Sequence, residues 1–190
     1  MNQYRIVSFE DILALFSPGS FYRISLSLLL GIMFWNTFIG GFVAISALKR
    51  RQFGVLQSKN MPVYFRSALA LTVVLLSQWT VNHLEMLESL ASWRRSDVLQ
   101  GYILLTAIGT IAANVFYLEP RTTEIMFERH RLEDKEGKAY TAPGVSSEMK
   151  ALTQQFGAMH GLSSMFNLVA FLAITFHALW VATFGLEGHQ

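Results

Sequence analysis

The sequence predicts an all-α integral membrane protein, a four-helix bundle preceded by a short amphipathic N-terminal helix. Three observations carry this reading. The 190 residues are 52% hydrophobic and only 15% charged, where a soluble domain carries about 25% charged residues. The apolar residues stand in long blocks, of the length that crosses a bilayer, instead of short periodic stripes. Basic residues crowd the ends of those blocks, as they do at membrane surfaces. The chain has no Cys, which excludes a disulfide scaffold, thiolate chemistry and Cys-ligated metals. The pI is near 9.0, but the net charge is only +2. Topology therefore explains the basic residues better than nucleic-acid binding does.

Residues 1–20 read as an amphipathic interfacial segment. Glu10 and Asp11 stand where a secretory signal would be basic, so this is no cleaved leader. Ser8 followed by Asp11 resembles a helix start. Phe9, Ile12, Leu13 and Phe16 share one face, and Ser17-Pro18-Gly19 stops the helix. The transmembrane domain then runs over residues 21–186. Its first span, 21–48, has no charge after Arg23. Asn36, Gly40 and Ala44 recur every four residues and suit close helix packing, while the Gly40-Gly41 pair softens the helix.

Lys49, Arg50 and Arg51 end the first span. Residues 53–65 mix aromatics with Gln57, Lys59 and Tyr64 and read as an unusual loop. Pro62 suits a first helical turn and opens the second span, 62–82. Arg66, inside it, snorkels back to the surface. Leu84, Leu87 and Leu90, with Glu85 and Glu88 between them, suggest an exposed amphipathic extension. Trp93 and Arg94-Arg95 mark the return to the interface.

The third span is 98–118. Gly101, Gly109 and Ala113 form a small-residue stripe, and Thr106, Thr110 and Asn114 a polar one; both are expected to face helices. Pro120 ends or kinks that helix. Residues 119–150 carry both charge signs and read as a solvated loop, with room for a short helix before Gly137. The fourth span is 156–184. Gly157 and Gly161 have the GxxxG spacing of close packing. His160, Ser164 and Asn167 share a face at i, i+4 and i+7. Residues 187–190 form a short polar tail.

Counting basic residues sets the orientation. The 1–2 and 3–4 connections hold Lys49, Arg50, Arg51, Lys59, Arg66, Arg121, Arg129, Arg131, Lys135, Lys138 and Lys150, eleven against the four (Arg5, Arg23, Arg94, Arg95) on the other side. The positive-inside rule assigns the eleven to the cytosol and both termini to the outside or a lumen.

Four stretches then carry a resemblance. Trp35-Asn-Thr-Phe-Ile-Gly-Gly-Phe42, Phe53-Gly-x-x-Gln-Ser-Lys-x-x-Pro-x-Tyr-Phe65, Leu118-Glu-Pro-Arg-Thr-Thr-Glu-x-Met126 and His160-Gly-Leu-Ser-Ser-x-x-Asn-Leu168 resemble the transmembrane protein 205 family. The likeness touches all four spans and is weak over residues 1–20 and 127–150. Asn36 and the Asn60-Met61 pair stand where animal members tend to be apolar. The resemblance implies a multi-pass membrane protein of about this size. The family is associated with resistance to a platinum drug and with vesicle membranes, and fungal relatives with the mitochondrial outer membrane. An intracellular membrane, mitochondrial outer, vesicle or ER, is therefore the expected location. No biochemical activity comes with the resemblance.

The candidate site is a polar cluster at the cytosolic edge: Gln57, Lys59, Tyr64, Glu119, Arg121, Glu124, His160, Ser164 and Asn167. A carboxylate at a bilayer edge needs a partner or water. Glu119 is expected to pair with Lys59 or Arg121, or Arg121 with Glu124 three residues on. Such pairs either clasp the helix ends or line a polar pocket for a lipid headgroup or small anion. Asn36, Gly40, Gly41, Gly109, Asn114, Gly157 and Gly161 are the expected helix-packing positions. His160 with Glu119 and Glu124 lacks any HExxH spacing, so no metal is expected. His83 and His177 lie toward the opposite surface; one such pair without a motif does not make a haem site. No catalytic or cofactor signature is present. The expected role is a structural, accessory or trafficking-related component of a membrane assembly, with lipids, other membrane proteins or further copies as partners. The alternative is a small transporter or lipid-binding protein. A lipid-modifying enzyme is only permitted.

Overall fold

The computed structural model describes residues 7–186. The polar tail expected at 187–190 and the first six residues of the N-terminal segment lie outside the described residues. Ser8 starts α1 (Phe9–Ala14) through a reciprocal cap: its hydroxyl accepts from the Asp11 N–H at 3.1 Å, and its own N–H donates to the Asp11 carboxylate at 2.9 Å. Asp11 thus does the work of the usual Glu or Gln. Phe9, Ile12, Leu13 and Phe16 are all exposed, so this apolar face finds no cover within the described chain.

Four long helices follow: α2 (Pro18–Ala47), α3 (Arg50–Asn82), α4 (Ser96–Glu136) and α5 (Ser147–Phe184), each long and apolar enough to cross a membrane. The described residues include no strand. The helices pack as a ring, α2 on α3, α3 on α4, α4 on α5, and α5 back on α2. Each contributes a stripe at three- and four-residue spacing: Tyr22, Leu26, Leu29 and Met33; Tyr64, Ala68, Leu75 and Trp79; Leu104, Ala107 and Ile111; Ala170, Ile174 and Val181. The chain is an all-α membrane bundle.

Three segments differ from the sequence expectation. Residues 53–65 are not a loop, because α3 begins at Arg50, with the Lys49 N–H donating back to the Gln52 side chain at 3.3 Å, and runs through Pro62. Lipid offers no partner to a freed backbone group, so a membrane helix persists through a proline more readily than it opens into a loop. Gly54 marks a close approach of α3 to α4: a Cβ would lie 2.9 Å from the Met126 sulfur.

Residues 119–136 are also helical. The chain makes a π-helical turn over Asn114–Leu118 and continues as helix to Glu136. Pro120 falls in the first turn after the π segment, where its missing N–H costs least. Gly137 then ends the helix in the left-handed conformation, φ 62°. Ile125, Met126, Arg129, His130, Leu132 and Glu133 form its buried face. Charged residues on that face disguised its period as a solvated run. Leu84–Glu88 is a short 3-10 turn, not a continuing α-helix.

A helix of 41 residues, such as α4, is about 60 Å long, twice the roughly 30 Å of bilayer hydrocarbon. The charged end of α4 and the start of α5 therefore rise beyond the membrane, and residues 137–146 join them there.

Candidate functional site

The expected edge cluster is distributed over several places. Tyr64 and Asn167 do meet: the Tyr64 hydroxyl donates to the Asn167 carbonyl at 2.6 Å, and the Asn167 amide donates to the Thr37 hydroxyl at 2.8 Å. This buried link joins α3, α5 and α2. Glu119 is buried but pairs with neither Lys59 nor Arg121; it accepts from the Thr123 hydroxyl at 2.9 Å. Arg121 pairs with Glu124 at 2.5 Å, one turn along the same helix. Lys59, His160 and Ser164 are exposed, and His160 only stacks on Phe156 at 5.6 Å. Ser163, the neighbour of Ser164, makes the interhelical contact: its hydroxyl donates to the Asn114 carbonyl at 2.5 Å.

A clasp does join the second and third spans, but other residues make it. Arg50 pairs with Glu133, and Arg51 with Asp134 at 2.6 Å; Arg51 also donates to the His130 carbonyl at 2.8 Å. Burial alone would raise the Glu133 pKa, but the Tyr140 N–H at 2.8 Å and the Arg50 guanidinium hold it below the ordinary carboxylate value. Burial, then the Arg51 charge, pushes the His130 pKa down. Charge signs in the sequence could not reveal these pairings, because residues 50 and 133 become neighbours only if 119–136 is helix.

The packing positions divide in the same way. Asn36 accepts from the Asn60 amide at 3.1 Å and donates to the Met61 sulfur at 3.8 Å, and both it and Gly40 lie in a π-helical turn, Trp35–Gly40. The Trp35 indole folds over Gly40, and Gly41 faces the Gln57 amide. Gly109, Gly157 and Gly161 have nothing within 4 Å of a Cβ position, so they do not bring helices together within this chain. Gly101 instead packs against the Leu84–Glu88 turn, with a Cβ position only 2.5 Å from the Met86 methyl. Thr106 and Thr110 bond their own helix backbone instead of a neighbour.

The strongest polar feature lies toward the opposite end and was not anticipated as a site. Tyr22, His177 and Gln100 are each 0% exposed. They form one chain across three helices: Tyr22 Oη to His177 Nε2 at 2.5 Å, and His177 Nδ1 to Gln100 Oε1 at 2.7 Å. The Gln100 oxygen can only accept, so Nδ1 carries the proton and Nε2 accepts from the phenol. Trp79, from α3, the remaining helix of the ring, meets the imidazole edge-on at 5.2 Å. Of the three, the sequence reading singled out only His177, placed toward this surface; their coincidence at one level is a product of packing.

Two concavities flank the bundle. An open cleft of about 910 Å³ at the end away from the clasp is lined by Trp79, His83, Glu85, Asp97 and Trp180. A lateral groove of about 830 Å³ runs between α2 and α3, apolar except for Asn36, Gln57, Asn60, Tyr64 and two serines. Among the described residues, no three His, Asp or Glu side chains converge to hold a metal ion. The arrangement offers hydrogen bonding and packing surfaces.

Residues 24–131 match the family described as a domain of unknown function, DUF4149. Transmembrane protein 205 of Danio rerio is 30% identical over 165 residues, covering 80% of this chain and 85% of that protein. No solved structure matches. With more than half the chain inside the family match and a relative aligned along most of both lengths, this multi-pass membrane protein belongs to the transmembrane protein 205 family.

Proposed function

We propose that the protein is an accessory component of a membrane assembly and docks a transmembrane helix of another polypeptide on the outer face of α5. One observation carries this reading. Gly157, His160, Gly161 and Ser164 share a face of α5, all four are exposed, and nothing approaches either glycine within 4 Å. Glycines let a second backbone come close, and the His160 imidazole and Ser164 hydroxyl have no hydrogen-bond partner among the described residues, so a docked helix would supply one. The first span adds support, since only 11% of its most apolar window is buried.

The test is co-purification from native membranes in mild detergent, comparing wild type with Gly157→Leu/Gly161→Leu. A discrete membrane polypeptide lost from the variant, at unchanged thermal stability, supports docking on this face. The same partner retained by the variant, or a contact only between copies, refutes it.

The lateral groove favours a second reading, lipid binding. It opens at membrane level, and the Asn36–Asn60 pair gives its wall a polar patch. Gly40→Leu would push the Trp35 indole into the groove. Loss of co-purifying phospholipid from that variant, read by native mass spectrometry, supports this reading; an identical lipid complement removes it.

A further inference from the structure

Arg129 is a buried cation with no close ion pair among the described residues, the Glu133 charge one turn on acting on it only at longer range. It is 7% exposed, its Nε is buried without a hydrogen-bond partner, and no carboxylate among the described residues lies within ion-pair distance. Its guanidinium lies between two ring faces, 4.2 Å from the centre of Tyr140 and 4.3 Å from that of Phe156. Arg50 covers the Tyr140 ring at 4.5 Å. Two arginines thus flank one phenol. Rings relieve a buried cation only in part, and a buried charge is stable when paired with an anion. With its faces covered, Arg129 has only in-plane N–H groups left to offer.

The Tyr140 backbone is pinned, its N–H donating to Glu133 at 2.8 Å. Its hydroxyl has no hydrogen-bond partner among the described residues, and the ring is only half-buried. It sits in the 137–146 connection, between Gly137 and the Pro143-Gly144 turn, on the side that the basic-residue count assigns to the cytosol. A charge added at the phenol oxygen would lie within a side chain's swing of both guanidinium groups.

We propose that Tyr140 is a phosphorylation site and that Arg129 and Arg50 receive the phosphoryl group. The donor is a nucleoside triphosphate, used by a separate tyrosine kinase. The Tyr140 Oη–P bond forms as the bond from the γ-phosphorus to the bridging oxygen breaks. The nucleoside diphosphate leaves, and the phenolic proton passes to the kinase's base. The product places nearly two negative charges beside two arginines, the arrangement by which phosphorylation orders a segment. Glu133 already holds Arg50, so the phosphoryl group also competes with the clasp.

The experiment uses the full chain in nanodiscs, a soluble tyrosine kinase of broad specificity and a nucleoside triphosphate. Wild type is expected to gain one phosphoryl group at Tyr140, mapped by peptide mass spectrometry, and Tyr140→Phe none at that peptide. The ³¹P resonance is then titrated. Pairing with arginine is expected to lower the phosphate midpoint by about one unit relative to Arg129→Gln, from an ordinary value near 6, and Arg129→Lys is expected to recover part of the shift. Modification of other tyrosines but not Tyr140, or of Tyr140 only in Arg129→Gln, overturns the proposal. So does a midpoint that is the same in wild type and Arg129→Gln. A separate arm adds inorganic phosphate to unmodified protein; an Arg129-dependent thermal shift there would mean a free-anion site, which also overturns the assignment to Tyr140.

Discussion

The buried chain Tyr22–His177–Gln100 gives the sharpest test of what holds the bundle together. Tyr22→Phe removes one oxygen and leaves the ring against Trp79, 6.4 Å away. His177 Nε2 then faces neither donor nor water, because the residue is 0% exposed. Leaving a buried acceptor unpaired costs about 1–3 kcal/mol. Hydrogen bonds between membrane helices average about 0.6 and reach about 1.7 kcal/mol. The overlap of the two ranges gives about 1.5 kcal/mol, or a fall in Tm of roughly 3–6 °C for a chain of this size. The assay is thermal unfolding in one detergent, followed by intrinsic fluorescence. Tyr102→Phe is the control. Its hydroxyl donates to the Leu90 carbonyl at 2.9 Å from an exposed position, so the expected loss is below about 0.5 kcal/mol. A Tyr22→Phe loss no larger than that of Tyr102→Phe would refute the reasoning. So would a double-mutant cycle with His177→Leu in which the two losses simply add, because groups in one hydrogen bond should couple by about 0.5 kcal/mol or more.

Other perturbations separate the roles of individual positions. Gly101→Ala displaces the Met86 methyl, the free end of a flexible side chain, and is expected to cost about 0.5–1 kcal/mol, whereas Gly157→Ala and Gly161→Ala should leave unfolding in detergent unchanged. Glu133 and His130, in the part of α4 beyond the membrane, both have folded-state pKa values below their ordinary ones. The unfolded chain therefore binds more protons, and each group's stabilisation is present above its unfolded pKa and lost as pH falls through its folded one. Stability should thus decline below the ordinary His value of 6.5 and again below the ordinary Glu value of 4.5, and Glu133→Gln should flatten the second decline in a pH series of melting curves. Asn114→Ala removes the acceptor of the Ser163 hydroxyl and is expected to lower stability by about 1 kcal/mol, while Ser164→Ala, one residue away and exposed, should lower it by less than about 0.5 kcal/mol.

How far the sequence could be read depended on what each feature rests on. Four long apolar helices and the N-terminal cap at Ser8 were legible because each is local: a run of apolar side chains excludes water whatever surrounds it, and a cap reaches only three residues. Two of the three misread segments failed for a related reason. Residues 53–65 and 119–136 hold polar residues and a proline, features that mark a loop in water. Here the helices continue because Gly54 approaches Met126, and because Arg50 and Arg51 reach Glu133 and Asp134. Only Tyr64 and Asn167 of the expected edge cluster share a direct bond across helices, since sharing a membrane level does not place side chains on facing sides.

The sequence by itself determined that this chain is a four-span helical membrane protein and to which family it belongs. Hydropathy, basic flanks and ordered motifs are properties of the chain before it folds. The tertiary structure decided which polar groups meet. Three residues as distant as Tyr22, Gln100 and His177 share one dry chain, Arg129 is enclosed between two rings, and the Gly157–Gly161 face stays open. Those outcomes depend on the rotation of each helix about its axis and on its register against its neighbours. Both are set by core packing, which spacing along one helix does not encode.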